Sequence, residues 1–394
     1  MFSLSFGIPK MSHNLGLKVL LYVLVFSQTL GNFGSIFRSL GINFYIYDLV
    51  SILGLFFLII FSIKNGWFRV SLPFLIIQSL YGVLVIVSLF SYQNLGFSET
   101  IKSLLYLLRF GVYFYLLYFV YLTISSNAVS FDFLKKIFWN NYIFLLFLVL
   151  IQWIFLRDLG EYQKYGYDPH FSRVVGPFMD PNFLGFYLVI YLILNARFIS
   201  SNFILFSSSF LIFLTQSRSA LICYFIFMVF WLLYQKNLKY LIVLILMVIG
   251  IYGSPIISRI EHSSRANDSV NLRFESYENG LNLIEFSDYL GIGVNNYKIY
   301  QRSFSMNFDD TNSSNFNDSS WISIIVLGGV VSALLLFGFL LSLNFSVVGF
   351  AILTVTLINT NIINSLFYPP LTFFILMLMF MNYAFEKRQV FVKN

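Results

Sequence analysis

Charged side chains are scarce in this 394-residue chain, 10% of residues against a usual share of about 25%. Too few polar groups exist to cover the surface of a water-soluble domain of this size, which excludes that class. Cysteine is nearly absent: Cys223 stands alone inside an apolar run, so neither an internal disulfide nor a cysteine metal site can form. The three histidines, His13, His170 and His262, lie outside the apolar runs, and no two have metal-ligand spacing. No phosphate-cradling P-loop occurs, and Gly291-Ile292-Gly293 is too short for a dinucleotide fingerprint. The expectation is a chain that uses no metal and no cofactor.

What is abundant is apolar sequence, 58% of the chain. Apolar runs fall at 18–37, 42–63, 70–91, 101–124, 138–156, 182–199, 202–216, 219–234, 239–254, 320–342, 345–360 and 367–384. A helix needs about 20 apolar residues to cross a bilayer, fewer where the bilayer thins. The prediction is one all-α transmembrane domain over 1–394, a polytopic protein of about 12 spans. The runs 202–216 and 219–234 are parted only by Ser217-Arg218-Ser219, which predicts a tight turn with Arg218 at the membrane surface. Lys10 and Lys18 precede the first run, with no small-residue cleavage site, so that run reads as a span rather than a signal peptide.

The net charge of +7 does not imply a nucleic-acid partner, because basic residues gather in short connections. With the N-terminus inside, the inner connections collect Lys64, Arg69, Lys135, Lys136, Arg197, Lys236 and Lys239, and the tail adds Lys387, Arg388 and Lys393. The short outer connections hold only Arg38 and Lys102. The excess of short-loop charge predicts that both termini are cytoplasmic. Two long loops then face outward, 157–181 and 254–320. The second holds nine of the seventeen acidic residues, which marks it as water-facing. Within it Val270, Phe274, Tyr277, Leu281 and Ile284 recur at helical spacing with Ser269 as N-cap. This predicts an amphipathic helix lying on the membrane domain. The stretch 303–319 is polar and without periodicity, and reads as a mobile segment.

The chemistry-bearing residues are outer-side arginines: Arg109 in the fourth span, Arg173 in the first long loop, Arg218 at the turn and Arg273 on the loop helix. An arginine inside a span is costly and suggests function by default. Lys102, Tyr106, Arg109 and Tyr113 fall at i, i+4, i+7 and i+11, one stripe of a helix. Arg109 has a plainer reading too, packed against tyrosine hydroxyls or backbone carbonyls. Taken together, several guanidinium groups on one surface suit a diphosphate, whose oxygens match the planar fork. Tyr167, Phe171, Tyr277, Tyr289 and Trp321 could stack on sugar faces, although interfacial aromatics are expected in any membrane protein. Asp180-Pro181-Asn182 reads as an N-cap followed by proline at the first helical position.

The order of short motifs is distinctive. Arg173-Val174-Val175-Gly176-Pro177-Phe178-Met179-Asp180-Pro181-Asn182 opens a span, and Thr215-Gln216-Ser217-Arg218-Ser219-Ala220 follows. The long loop carries Leu272-Arg273-Phe274-Glu275 and Gly291-Ile292-Gly293-Val294-Asn295-Asn296-Tyr297, and Asp318-Ser319-Ser320-Trp321 precedes Gly328-Gly329. This order resembles the O-antigen polymerase and ligase family of bacterial polysaccharide assembly, over about residues 170–335.

The resemblance implies an inverting, metal-independent glycosyltransferase at the outer face of the bacterial inner membrane. Its donor and acceptor would be glycans on undecaprenyl diphosphate, and a chain-length regulator is a candidate partner. By motif, Arg218 and Arg273 would bind the diphosphate and stabilise it as it leaves, and Arg173 would contact glycan. Ligases of the family place a His-Asn pair before the corresponding span, where this chain has Asn317-Asp318-Ser319. That departure points to a repeat-unit polymerase and leaves Asp318 as the candidate base, its alternative role being an N-cap. The expected catalytic set is Asp318, Arg218 and Arg273, with Arg109, Arg173, Tyr277 and Trp321 binding substrate. The rival expectations are an O-antigen ligase and a polysaccharide flippase.

Overall fold

The computed structural model describes residues 15–393 apart from 40–41, 67–70, 93–94, 127, 157–158, 160–172, 253–263, 304–316 and 345. Most of the first long loop, including Tyr167, His170 and Phe171, and most of the stretch expected to be mobile lie outside the described residues.

Each of the twelve apolar runs carries a helix. Among the described residues, eight helices are long and apolar enough to cross a membrane: α2 (Ile46–Lys64), α3 (Leu72–Ser91), α4 (Phe97–Ser125), α5 (Phe131–Phe155), α6 (Pro181–Leu194, extended by a π-turn to Ile199), α8 (Arg218–Gln235), α12 (Ser320–Ser342) and α14 (Pro369–Lys393). Four further apolar helices among the described residues are shorter: α1 (Leu15–Thr29), α7 (Asn202–Thr215), α9 (Leu238–Tyr252) and α13 (Val347–Ile362). Two more belong to the long loop, α10 (Ser264–Phe286) and α11 (Tyr297–Ser303). The chain is a multi-pass, all-α membrane protein with one small departure. Residues of the first two apolar runs form an antiparallel hairpin, β1 (Ser35–Ser39) and β2 (Ile42–Tyr45), so α2 begins at Ile46. Aromatic and β-branched residues crowd this hairpin, the composition that favours strand.

The core is built around α6 and α14. From Leu184 to Leu194 every residue of α6 is buried, and so is every residue from Leu371 to Met381 in α14. A helix apolar on all sides finds no lipid-facing stripe and settles at the centre. α6 packs on α7, α8 and α14, while α3 lies along α12 and α4 along α14 and α2. Polar side chains tie the helices together where water is absent. Thr29, Asn141, Tyr187 and Tyr191 form one buried hydrogen-bonded group across α1, α5 and α6.

α12 is broken at Gly329, whose φ of 74° and ψ of 178° are non-helical. The loop after α10 fills the break. Ile292 N donates to Val326 O at 2.8 Å, Gly293 N to Leu327 O at 2.9 Å, and Val330 N to Tyr289 O at 3.1 Å. Backbone groups freed by a broken apolar helix must be satisfied from within the protein, and residues 289–293 supply the partners.

Candidate functional site

α10 differs from the expected amphipathic helix in two ways. It begins at Ser264 rather than after Ser269. Its packed face is Ser276, Gly280, Leu283 and Ile284, while Phe274 and Leu281 are exposed. Small residues decide this: at Gly280 a Cβ would lie 2.5 Å from Asn317 Nδ2, so only glycine lets α10 approach the start of α12. Tyr277 flanks that face, and its hydroxyl donates to Asn361 O at 3.0 Å.

That approach holds Asp318. Its N–H donates to Ser276 Oγ at 3.2 Å, and the neighbouring Asn317 side chain donates to Ser276 O. Asn317 Oδ1 accepts from Ser319 N at 2.9 Å. The N-cap of α12 is Ser319, whose hydroxyl accepts from Ile322 N; the alternative role for Asp318 therefore falls to its neighbour, and the Asp318 carboxyl is not used as a cap. Burial pushes this carboxyl above the ordinary carboxylate range, the Arg273 guanidinium pulls it back, and Asp180 pushes it further up. Burial likewise raises the Tyr277 hydroxyl, with Arg273 opposing and Asp318 reinforcing. The buried Tyr297 hydroxyl, beside Asn317 and Ser276, is pushed up to about 12. Asp318 is thus acted on by both Arg273 and Asp180, and Tyr277 by Arg273 and Asp318, although these residues come from three distant segments.

Asp180 caps α6 as its motif predicts, accepting from Asn182 N at 2.6 Å and Phe183 N at 3.0 Å. Next to it, Asn182 Oδ1 accepts from Ser217 Oγ at 2.8 Å. The expected tight turn is there: Gln216 adopts a left-handed conformation and Ser217 caps α8. Arg218, the first residue of α8, is exposed at this turn. Arg173 holds the turn from the other side. Its Nε donates to Thr215 O at 2.8 Å and a terminal nitrogen to Gln216 O at 3.2 Å, which satisfies carbonyls left open at the end of α7.

Two expected substrate contacts have other partners. Arg109 makes a two-pronged ion pair with Asp48, Nε to Oδ1 and a terminal nitrogen to Oδ2, both at 2.8 Å. Asp48 also accepts from Tyr113 Oη at 2.9 Å and Tyr45 N at 3.0 Å, and is only 4% exposed. The aromatic rings of Tyr45 and Tyr47 face the guanidinium. Trp321 Nε1 donates to Thr360 Oγ1 at 2.9 Å and its ring meets Phe337 edge-on. Sequence reasoning missed Asp48 and the second role of Asp180. An aspartate at the start of an apolar run was the available signal for the first. Nothing local to 180 could announce the second, since it depends on residue 318.

One stretch of chain therefore carries Arg218 near its start, Arg273 midway and Asp318 near its end, just before the glycine-broken apolar helix α12. Residues 203–337 match the O-antigen ligase family. The match runs from α7 into the broken α12 and includes Arg218, Arg273, Tyr277, Asp318 and Trp321; Arg109, Arg173 and Asp180 precede it. No curated protein matches the chain.

Proposed function

We propose that this protein is a glycosyltransferase that joins oligosaccharide repeat units carried on undecaprenyl diphosphate, at the outer face of the bacterial inner membrane, with both its termini cytoplasmic. The observation that carries the proposal is the electrostatic grouping of Asp318 with Arg273 and Asp180, at the end of α6 where Asn182 meets the Arg218 turn. In this reading the acceptor hydroxyl oxygen forms a bond to the donor's anomeric carbon as the bond to the diphosphate oxygen breaks. The hydroxyl proton passes to the Asp318 carboxylate. Negative charge grows on the departing diphosphate, where Arg218 and Arg273 stabilise it, and fixed cations in a site of low polarity are effective at this. Attack from the face opposite the leaving group inverts the configuration, and diphosphate needs no nucleotide to make it leave. Arg173 acts here by holding the Arg218 turn. A chain-length regulator is a proposed partner.

A deletion strain that accumulates single lipid-linked repeat units, complemented by the wild-type chain and not by Arg218→Ala, Arg273→Ala or Asp318→Asn at equal protein levels, supports the proposal. Full-length surface polysaccharide from any of the three variants overturns that residue's role. A second reading, transfer of finished glycan to a lipid core, is favoured by the family description itself. It predicts that the deletion strain builds long lipid-linked polymer and fails only to attach it.

A further inference from the structure

α10 and the first part of α12 run side by side in the same direction. Gly280 meets Asn317 and Ile322, Leu283 and Ile284 share an apolar cluster with Ile322 and Val326, and Tyr289 O accepts from Val330 N. The outward face of α10 carries Glu275, Glu278, Asn282 and Glu285, all exposed, the polar face of a helix that stands in water. The tip beyond it is different. Tyr289 and Leu290 are 56% and 72% exposed, and Phe286, whose ring meets Tyr300, is 53% exposed. Three large apolar side chains thus face outward within five residues, at the end of a loop rich in acids.

Two observations say what they face. The first is level. From Ser320 to Gly329 no residue of α12 is exposed, whereas Val330, Val331 and Leu334 are. On a spanning helix such apolar side chains meet acyl chains. Tyr289 bonds to Val330, the first of them, and a Cβ at Gly329 would meet Leu290 O at 2.7 Å. The tip therefore ends where the lipid-facing side of α12 begins, and Leu290 continues that side. The second observation is the backbone. Every N–H from Ser287 to Gly293 is paired within the protein. Ser287 N donates to Leu283 O, Asp288 N to Glu285 O, Tyr289 N to Ile284 O and Leu290 N to Ser287 O. Gly291 N donates to Ser287 Oγ at 3.3 Å, and Ile292 N and Gly293 N enter the break of α12. Water would satisfy such groups on an ordinary exposed turn, but irregular backbone at membrane depth has to be satisfied from within. The exposed acids Glu285 and Asp288 set the depth, because carboxylates stay in the hydrated head-group layer, where tyrosine is also at home.

We propose that Tyr289 and Leu290, with Phe286, form a foot that seats the long loop in the lipid leaflet on its own side of the membrane. The apolar side chains lie among the upper acyl chains, and Glu285 and Asp288 among the head groups. This inference rests on the multi-pass membrane class alone and is independent of the proposed glycosyl transfer. It corrects the reading of the whole 254–320 loop as water-facing, and it fixes the end of the helix that carries Arg273.

A nitroxide spin label reads the depth. Cys223, the chain's one cysteine, is replaced by alanine, and the label is attached in turn at Leu290→Cys, at Val331→Cys as the lipid control and at Glu278→Cys as the water control. Tyr289→Cys is a second probe of the same foot where Leu290→Cys fails to fold, and retained thermal stability shows that each labelled protein is intact. The full chain is reconstituted in vesicles of phosphatidylethanolamine and phosphatidylglycerol, and power saturation is measured with oxygen, which enters lipid, and with a polar nickel chelate, which does not. The expected result is that the label at 290 behaves like that at 331, more accessible to oxygen than to nickel. Its nickel accessibility falls roughly tenfold below that at 278, the ratio that a partition of about 1.4 kcal/mol produces. Equal nickel accessibility at 290 and 278 overturns the inference, since the tip then stands in water. Protection of 290 from both reagents also overturns it, since protein then covers the tip; spin–spin broadening that dilution in lipid removes would identify that protein as a second copy of this chain.

Discussion

Gly291 rests on the backbone of Gly329. A Cβ at Gly291 would meet Gly329 N at 2.5 Å, and Gly291 itself has a φ of +93°. The contact seats residues 289–293 in the break of α12, where their N–H and C=O groups pair with those that the break exposes. It also sets the path of the chain between α10 and α11, and α10 carries Arg273. Gly291→Ala is expected to destabilise the protein by about 1–3 kcal/mol, the usual cost of a strained backbone position. Thermal unfolding in detergent measures this; an unchanged midpoint would show that the loop does not depend on the contact.

The Asp318 carboxyl sits above its ordinary range because burial disfavours the charged form. A base must be ionised to act, so if Asp318 is the proposed base the proposed transferase activity should rise with pH through that raised value. The two charges around it move the acid limb in opposite directions. Asp180→Asn removes a neighbour that raises the value, and shifts the limb to lower pH; asparagine caps a helix about as well as aspartate, so α6 persists. Arg273→Gln removes the cation that lowers it, and shifts the limb to higher pH in whatever activity remains. Rate measured against pH in membranes decides this, and a common limb in all three proteins would exclude Asp318 as the titrating group.

The same carboxyl carries a stability consequence with a definite sign. Its folded value lies above the unfolded one, so its contribution to stability is complete at pH below the unfolded value and is lost as pH rises through the folded value. At neutral pH Asp318→Asn should therefore raise the unfolding temperature while abolishing polymerisation. A lower unfolding temperature would mean that the ionised group is paired more favourably than its burial suggests.

Arg109 and Asp48 test a different kind of claim. Removing either partner of a buried ion pair leaves the other uncompensated, at a cost of about 3–5 kcal/mol, towards the lower end here because Arg109 is 21% exposed. Asp48→Asn and Arg109→Gln should each destabilise, and the double variant should recover part of the loss. A double-mutant cycle by thermal unfolding gives the coupling, and strictly additive losses would show that the pair contributes no coupling of its own.

Arg173 should behave as a support. Arg173→Ala leaves the Thr215 and Gln216 carbonyls without these donors, a loss of about 1–3 kcal/mol, and loosens the turn that presents Arg218. The expected phenotype is reduced polymerisation together with reduced stability. Full stability with lost activity would instead place Arg173 on the substrate.

Composition and periodicity were enough to determine the class of this protein, its twelve helix-bearing runs and the turn at Ser217, because hydropathy, capping and turn chemistry act over a few neighbouring residues. The proline-led start of α6 with its Asp180 cap was legible for the same reason. Which face of α10 is buried, which residue caps α12, why Gly291 and Gly329 are glycines and which acid answers Arg109 were decided only by tertiary structure. Each of those depends on groups brought close from segments tens to hundreds of residues apart, and the energy of such a contact is set by distance in space, to which spacing along the chain gives no access.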